Sequence, residues 1–446
     1  MEEAIAAADT AWVLAAFTAV ALMVPGLALF YGGMLGVKSA LNMIMMVLGG
    51  FAVAGVVWVF FGPAAVLGDS VGGLGLIGNP FADIGLGSLL EPDPAGGIPA
   101  ALVAAFHLLF AGITVAIIAG GVADRMKFSA WMAFAAIWVV LVYFPIAHWV
   151  FAFDDEEAGT KGGWIANVLG AQDFAGGTAV HMNAGVAALA LAIALGKRRG
   201  FPHVARPHSL PLVVLGGGIL MFGWFGFNGG SAGGANHTAG VVVLNTMVAA
   251  VAGLLGWLLV ERIREKHATT LGAISGMIAA LVGITPAASL VSPLGALLIG
   301  FTAGAVCFLT VSLKFKLGYD DSLDVVAIHL MGGVVGTLLI AFVATGAAPA
   351  GIDGLFFGGG IDLLGRQLLA MAAVFAYSFA VTWLIAKALD KTMGLRVDKE
   401  TEITGIDVPI HGETAYVMDS FGTSAPSKMR PEEFAADREV VVPAVK

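Results

Sequence analysis

The chain has 446 residues, 59% of them hydrophobic and only 12% charged, against the quarter or so that soluble domains carry. That composition excludes a soluble globular protein. The formal net charge of -9 argues against nucleic acid as a partner, and the single Cys307 excludes an intrachain disulfide and any multi-cysteine metal site.

A membrane-spanning helix needs about 20 mostly apolar residues. Eleven stretches qualify in chain order: roughly 10–33, 41–66, 99–122, 130–153, 174–196, 209–229, 238–260, 270–288, 293–313, 325–346 and 366–390. The expected fold class is an all-α integral membrane protein. The first stretch follows "MEEAIAAADT", which is acidic where a signal peptide is positive and shows no small-residue cleavage pattern, so it reads as a retained span. Gly, at 62 residues, is about twice its average usage of roughly 7%, as expected where helices approach through small residues.

With eleven spans and the N-terminus outside, all but Lys161 and Arg366 of the 22 Lys and Arg fall on inner segments, so the C-terminus is expected to be cytoplasmic. "PGLALFYGG" (25–33) resembles "GWFGFNGG" (223–230). "DFAGGTAVHMNAG" (173–185) resembles "DVVAIHLMGG" (324–333). A five-span repeat is odd in number, so its second copy lies upside down. Two inverted repeats plus a final helix would place a substrate path at their interface. After residue 390 a polar tail follows, its first half able to dock on a surface and its last twenty or so residues expected to be mobile.

Four histidines fall within spans: His107, His148, His181 and His329. His148, beside Trp149 near a span end, reads as an interfacial anchor. His181 and His329 stand among small apolar residues, where an ionisable group is expensive and therefore a functional candidate. A neutral imidazole has one donor and one acceptor nitrogen, so two in contact form a short polar wire; the alternative is a pair of core histidines bonded to backbone carbonyls. Two histidines without a third ligand do not make a zinc site, and no metal or cofactor is expected. Asp173 stands at the start of its helix, where capping is the natural role. Asp324 belongs to "GYDDSLD", which must dip into protein if His329 is to meet His181. Phe110 lies inside the third span and Phe227 one turn below Ser231, so rings and a hydroxyl can meet at an external mouth; aromatic faces attract desolvated cations.

The ordered set "PGLALFYGG", "FSAWMAFAAIWVVLVYFPIAH", "DFAGGTAVHMNAG", "GWFGFNGGSAG", "LGAISGMIAALVGITP", "DSLDVVAIHLMGG" and "GIDVPIHGETAY" resembles the ammonium transporter (Amt) family, relatives of the Rh proteins, over nearly the whole chain. The resemblance implies a narrow pore with His181 facing His329, closed above by stacked Phe110 and Phe227. It implies a recruitment site with Ser231 and an aromatic, supported by Asp173 without direct ligation. It also implies a homotrimer with one pore per subunit and a cytoplasmic PII-type regulatory partner. Two positions depart from the family pattern. The mouth aromatic, often Trp, is Phe151, a weaker cation binder, and the position three before the gate phenylalanine, often Gln, is His107.

The function so implied is recruitment of ammonium, removal of its proton, and passage of ammonia with or without that proton; methylammonium is the natural analogue. Two other classes are a sensor signalling through the tail and an intramembrane enzyme using a histidine base. An enzyme would need a nucleophile or metal beside the histidine, and spacing offers none, so no catalytic residue is expected.

Overall fold

The structure, a computed structural model, describes residues 2–91, 97–202 and 206–416. Its helices in chain order are α1 (Glu2–Ala21), α2 (Met23–Met34), α3 (Ala40–Val66), α4 (Ala100–Val122), α5 (Phe128–Trp138), α6 (Phe144–Phe151), α7 (Asn183–Leu195), α8 (Leu210–Gly230), α9 (His237–Glu265) and α10 (Thr270–Ile284). They continue with α11 (Pro293–Val311), α12 (Leu313–Leu317), α13 (Met331–Val343), α14 (Asp362–Thr392), α15 (Lys399–Thr404) and α16 (Asp407–His411). Among the described residues there is no sheet, only isolated bridges such as Met126 with Arg396. Among the described residues, ten helical segments are long and apolar enough to cross a membrane. The chain is a multi-pass membrane protein.

Ten of the eleven expected stretches are found as spanning helices, with shifted ends. The first starts at Glu3 rather than near residue 10, because the alanine-rich leader has high helix propensity. The expected 270–288 span is cut to the 15 residues of α10, about 22 Å of rise against about 30 Å of hydrocarbon. Pro286, which has no N–H to continue the ladder, follows directly, and the chain turns through Thr285–Leu290.

Glycine lets the helices touch backbone to backbone. A Cβ at Gly253 of α9 would stand 2.7 Å from the Gly276 carbonyl of α10 and 2.8 Å from the Gly300 carbonyl of α11, so the three helices close on one another there.

Two π-helical segments, Gly177–Met182 and Val326–Leu330, cross near the centre and lead into α7 and α13, each of 13 residues. They carry His181 and His329. The crossing is reciprocal: a Cβ at Gly185 would meet Leu330, while one at Gly333 would meet Met182. Each glycine lies four residues after its own histidine and packs on the residue after the other's. The carboxylates are paired in the same way. Asp173 and Asp321 each precede their histidine by eight residues and each accept backbone N–H groups where the π segment begins. Asp321, and not Asp324, is thus the counterpart of Asp173; Asp324 instead takes the Lys314 ammonium at 2.6 Å.

The Asp320–Ser322 turn is buried, as the meeting of the two histidines requires. Arg125, fully buried although it reads as an ordinary inner-loop charge, holds this turn through the Asp320 carbonyl and the Ser322 hydroxyl (2.7 Å), and also donates to the Gly196 carbonyl (3.0 Å). Burial alone would push the Asp320 carboxyl up, but the Arg198 hydrogen bonds and charge, with Arg125, hold it below the usual range. Burial, reinforced by Asp324, holds the Asp321 carboxyl above it.

The tail docks on this same end. Lys127 N–H donates to the Leu395 carbonyl (2.8 Å) and Val397 N–H to that of Arg125 (3.0 Å). The Asp407 carboxylate accepts the Leu41 and Asn42 N–H groups at 3.0 and 2.8 Å, capping α3. The last twenty residues, expected to be mobile, lie outside the described residues.

Candidate functional site

At the end of the molecule away from the tail, Phe110 of α4 and Phe227 of α8 lie face to face, their centroids 4.0 Å apart and their planes 14° from parallel. Both are buried. Phe151, at the end of α6, stands edge-on to Phe110 at 6.2 Å and near His107 at 5.9 Å. Ser231 donates its hydroxyl to the Phe227 carbonyl at 2.8 Å, one turn back. The three phenylalanines therefore form one group, with Ser231 one turn beyond Phe227. His107 belongs to it too, with Phe106 and Phe110 as neighbours and its buried Nδ1 without a partner among the described residues.

Asp173 acts from behind. Its two oxygens accept the N–H groups of Gly176 (2.9 Å), Gly177 (2.6 Å) and Thr178 (2.8 Å), as expected of a cap. The Gly176 it anchors, at φ 108°, backs the Phe151 ring: a Cβ there would lie 3.4 Å from Phe151 Cζ.

Below the stacked rings is a cavity of about 20 Å³, walled by Ile113, Ile117, Leu220 and Trp224 as well as the two imidazoles. A water-sized molecule needs roughly 10–15 Å³ of such space, so the cavity fits one. His181 and His329 face each other with Nδ1 to Nδ1 at 3.3 Å. One of these nitrogens must donate and the other accept. The two Nε2 atoms are then in opposite states, one an N–H and one a lone pair, and the Nε2 of His181 has no partner among the described residues.

Two further side chains matter that sequence reasoning missed. Trp224 stacks on His181 (5.3 Å, 22°) with its indole N–H held by Thr285 at 2.9 Å. Tyr31, whose hydroxyl donates to the Ile117 carbonyl at 3.1 Å, lines the cavity further down. The signal for Trp224 was its place three residues before Phe227, on the same helical face. The interfacial role expected of His148 is corrected: the ring is fully buried and its Nδ1 bonds the Val66 carbonyl at 3.0 Å, because α6 packs on α3 over that stretch.

A multi-pass helical membrane protein whose interior holds a small apolar cavity beneath stacked rings, lined by two facing imidazoles, has the build of a membrane transporter or channel. The chain belongs to the Ammonium Transporter Family, whose profile matches residues 11–416. It is 53% identical to an ammonium transporter of Mycobacterium tuberculosis over 92% of this chain and 90% of that one. It is 45% identical to an ammonium transporter of Bacillus subtilis over 92% and 98%. Among solved structures it is similar to Mep2 of Saccharomyces cerevisiae (TM-score 0.77, 35% identity, 88% of this chain and 90% of that one). It is also similar to a structure named Sensor Amt Protein (TM-score 0.82, 30% identity, 92% and 100%).

Proposed function

We propose that the protein gathers ammonium at the mouth formed by Phe151, Phe110 and Ser231, with Asp173 fixing the turn behind it, and strips its proton. Ammonia then passes the Phe110–Phe227 gate and is handed along by His181 and His329. The observation that carries this reading is the imidazole pair at 3.3 Å, facing a cavity that fits one small molecule between otherwise apolar walls.

The physical reason is the cost of desolvation. Moving a charged ion into an apolar cavity costs far more than moving a neutral amine. The ring faces at the mouth offset some of that cost for a cation that has shed water, and the proton passes to water at the mouth before the narrow segment, from where it either returns outside or follows the ammonia inward by a separate route. Potassium has no proton to leave behind, so the barrier stands for it. Within the cavity, one imidazole nitrogen accepts an ammonia N–H and another donates to its lone pair.

The same reading includes eleven spans, α10 being the short one, as two inverted five-helix repeats and a final helix. The N-terminus is outside, the C-terminus in the cytoplasm, and the chain in the cell membrane. The reciprocal glycine contacts at the histidine crossing support the repeat. Residues 1–390 form the transporting domain and 391–446 a regulatory tail. The chain assembles as a homotrimer, and a PII-type protein docks on its cytoplasmic face. A second reading, sensing through the tail, is favoured by the link from the tail through Arg125 to the turn before His329.

Uptake of labelled methylammonium into liposomes holding the purified protein tests the proposal. Uptake competed by ammonium but not by potassium supports it. Uptake indifferent to ammonium would remove it.

A further inference from the structure

The same helices that hold the histidine segments leave an apolar recess on their outer side. It has a volume of about 570 Å³ and is walled by Leu189 and Ile193 of α7, Leu317 of α12, Val326 and Leu330 of the His329 segment, and Met331 at the start of α13. Through Ile193 it joins a second, wholly apolar hollow of about 350 Å³ against Phe379, Trp383 and Leu384 of α14. Along α14 the rings form a ladder on one face: Phe375 stacks on Phe379 (6.1 Å, 5°), Phe379 on Trp383 (6.3 Å, 8°), and the Lys387 ammonium lies 4.6 Å from the Trp383 ring.

We propose that this recess binds one anionic phospholipid, its acyl chain along the Phe375–Phe379–Trp383 ladder and its headgroup phosphate on Lys197 and Lys387. Lys197 lines the recess at the tail-bearing end, and Lys387 stands one turn beyond Trp383 on α14, its ammonium over that ring. Among the described residues neither makes an ion pair. The nearby carboxylates are engaged elsewhere: Asp320 accepts from Arg198 at 2.8 Å and Asp390 from the Leu395 N–H at 3.3 Å. The Arg396 guanidinium donates to the Lys197 carbonyl at 2.7 Å and so fixes the backbone at the head end. Lipid-facing surface as such calls for neither a concavity nor a cationic rim; here a recess lined by Lys197 adjoins Trp383, and both ammonium groups lie over aromatic rings, Lys197 over Phe201 and Lys387 over Trp383, with no carboxylate partner among the described residues.

The site has a consequence for the pore. Val326 and Leu330, in the wall, also belong to the small core cluster with Met182 and Val186 behind the two histidines, against which Phe379 and Leu189 pack. An acyl chain in the recess completes that packing and steadies the His329 segment from outside.

The test uses the full chain in nanodiscs of phosphatidylcholine carrying a fraction of brominated phosphatidylglycerol or, separately, of brominated phosphatidylcholine. The contribution of Trp383 is isolated by difference from Trp383→Phe. The expected result is stronger quenching of Trp383 by the brominated anionic lipid than by the zwitterionic one, the preference falling about five-fold for each of Lys197→Gln and Lys387→Gln. Equal quenching by both lipids would mean bulk bilayer only. A preference that survives both lysine substitutions would remove the assigned headgroup site. No quenching by either would mean a second copy of the chain covers the recess. Each of these outcomes overturns the proposal.

Discussion

The two histidine segments cross at a close backbone approach, and Gly185→Ala probes it directly. A Cβ at Gly185 would stand 2.7 Å from Leu330 Cβ and 2.8 Å from Leu330 Cα, whereas carbon atoms in contact settle at about 3.5–4.0 Å. Relief requires the segments to part by about 1 Å. The Nδ1 atoms of His181 and His329, 3.3 Å apart, then lie near 4 Å, outside hydrogen-bond range. Overpacking of this kind costs about 1–3 kcal/mol, which lowers thermal stability while the fold persists. Methylammonium uptake into liposomes is the assay, with Gly218→Ala as control, since a Cβ at that position meets nothing within 4 Å. We expect at least a tenfold loss in Gly185→Ala and wild-type uptake in Gly218→Ala. Wild-type uptake in a folded Gly185→Ala protein would refute the claim that the contact between the imidazoles matters.

Phe151→Trp is expected to lower the half-saturating ammonium concentration about two- to five-fold, the value of about 0.5–1 kcal/mol for a better cation-binding ring, as read from concentration-dependent uptake. Asp173→Asn leaves one side-chain oxygen where two now accept three N–H groups at 2.9 Å or less. At about 1.5–3 kcal/mol per bond to a charged group, thermal unfolding in detergent should report a loss of about 2–4 kcal/mol, with uptake reduced. The Asp321 carboxyl is held above its ordinary value of 3.8, first by burial and then by Asp324. The folded state thus binds this proton more tightly than the unfolded chain, and the cost of ionisation appears as pH rises through the folded value. Asp321→Asn, which keeps an acceptor for the Val326 N–H, is expected to lose that fall in stability above pH 3.8. Parallel melting-temperature profiles for the two proteins would refute this.

Much of the fold was legible because hydropathy alone fixes where a chain can cross lipid. Ten of the eleven expected stretches form helices long and apolar enough to span, while the 270–288 stretch gives only the short α10, since its apolar character runs past the point where Pro286 stops the helix. His181 and His329 stood out because ionisable side chains are rare within an apolar span, whereas Phe110 and Phe227, two of 28 phenylalanines, were marked as a gate only by the resemblance to the ammonium transporter family. Arg125 and Asp321 were not. Their roles depend on a buried turn whose partners are 195 and 197 residues from Arg125, and neither hydropathy nor spacing carries that pairing. His148 was misjudged because a histidine beside a tryptophan near a span end looks the same from sequence whether it faces headgroups or a neighbouring helix. The α14 ladder of Phe375, Phe379 and Trp383 has a clear spacing, yet the recess beside it exists only once α7 and the His329 segment are in place.

The central claim is that ammonium is selected by losing its proton ahead of the histidine pair. The most direct test is electrophysiology on solid-supported membranes with wild-type and His181→Ala proteoliposomes, applying ammonium and potassium jumps while internal pH is recorded. The account predicts that wild-type vesicles respond to ammonium by current or by internal pH and stay silent to potassium, and that His181→Ala loses the response or its selectivity. A potassium response in wild type, or an unchanged selective response in His181→Ala, would contradict it.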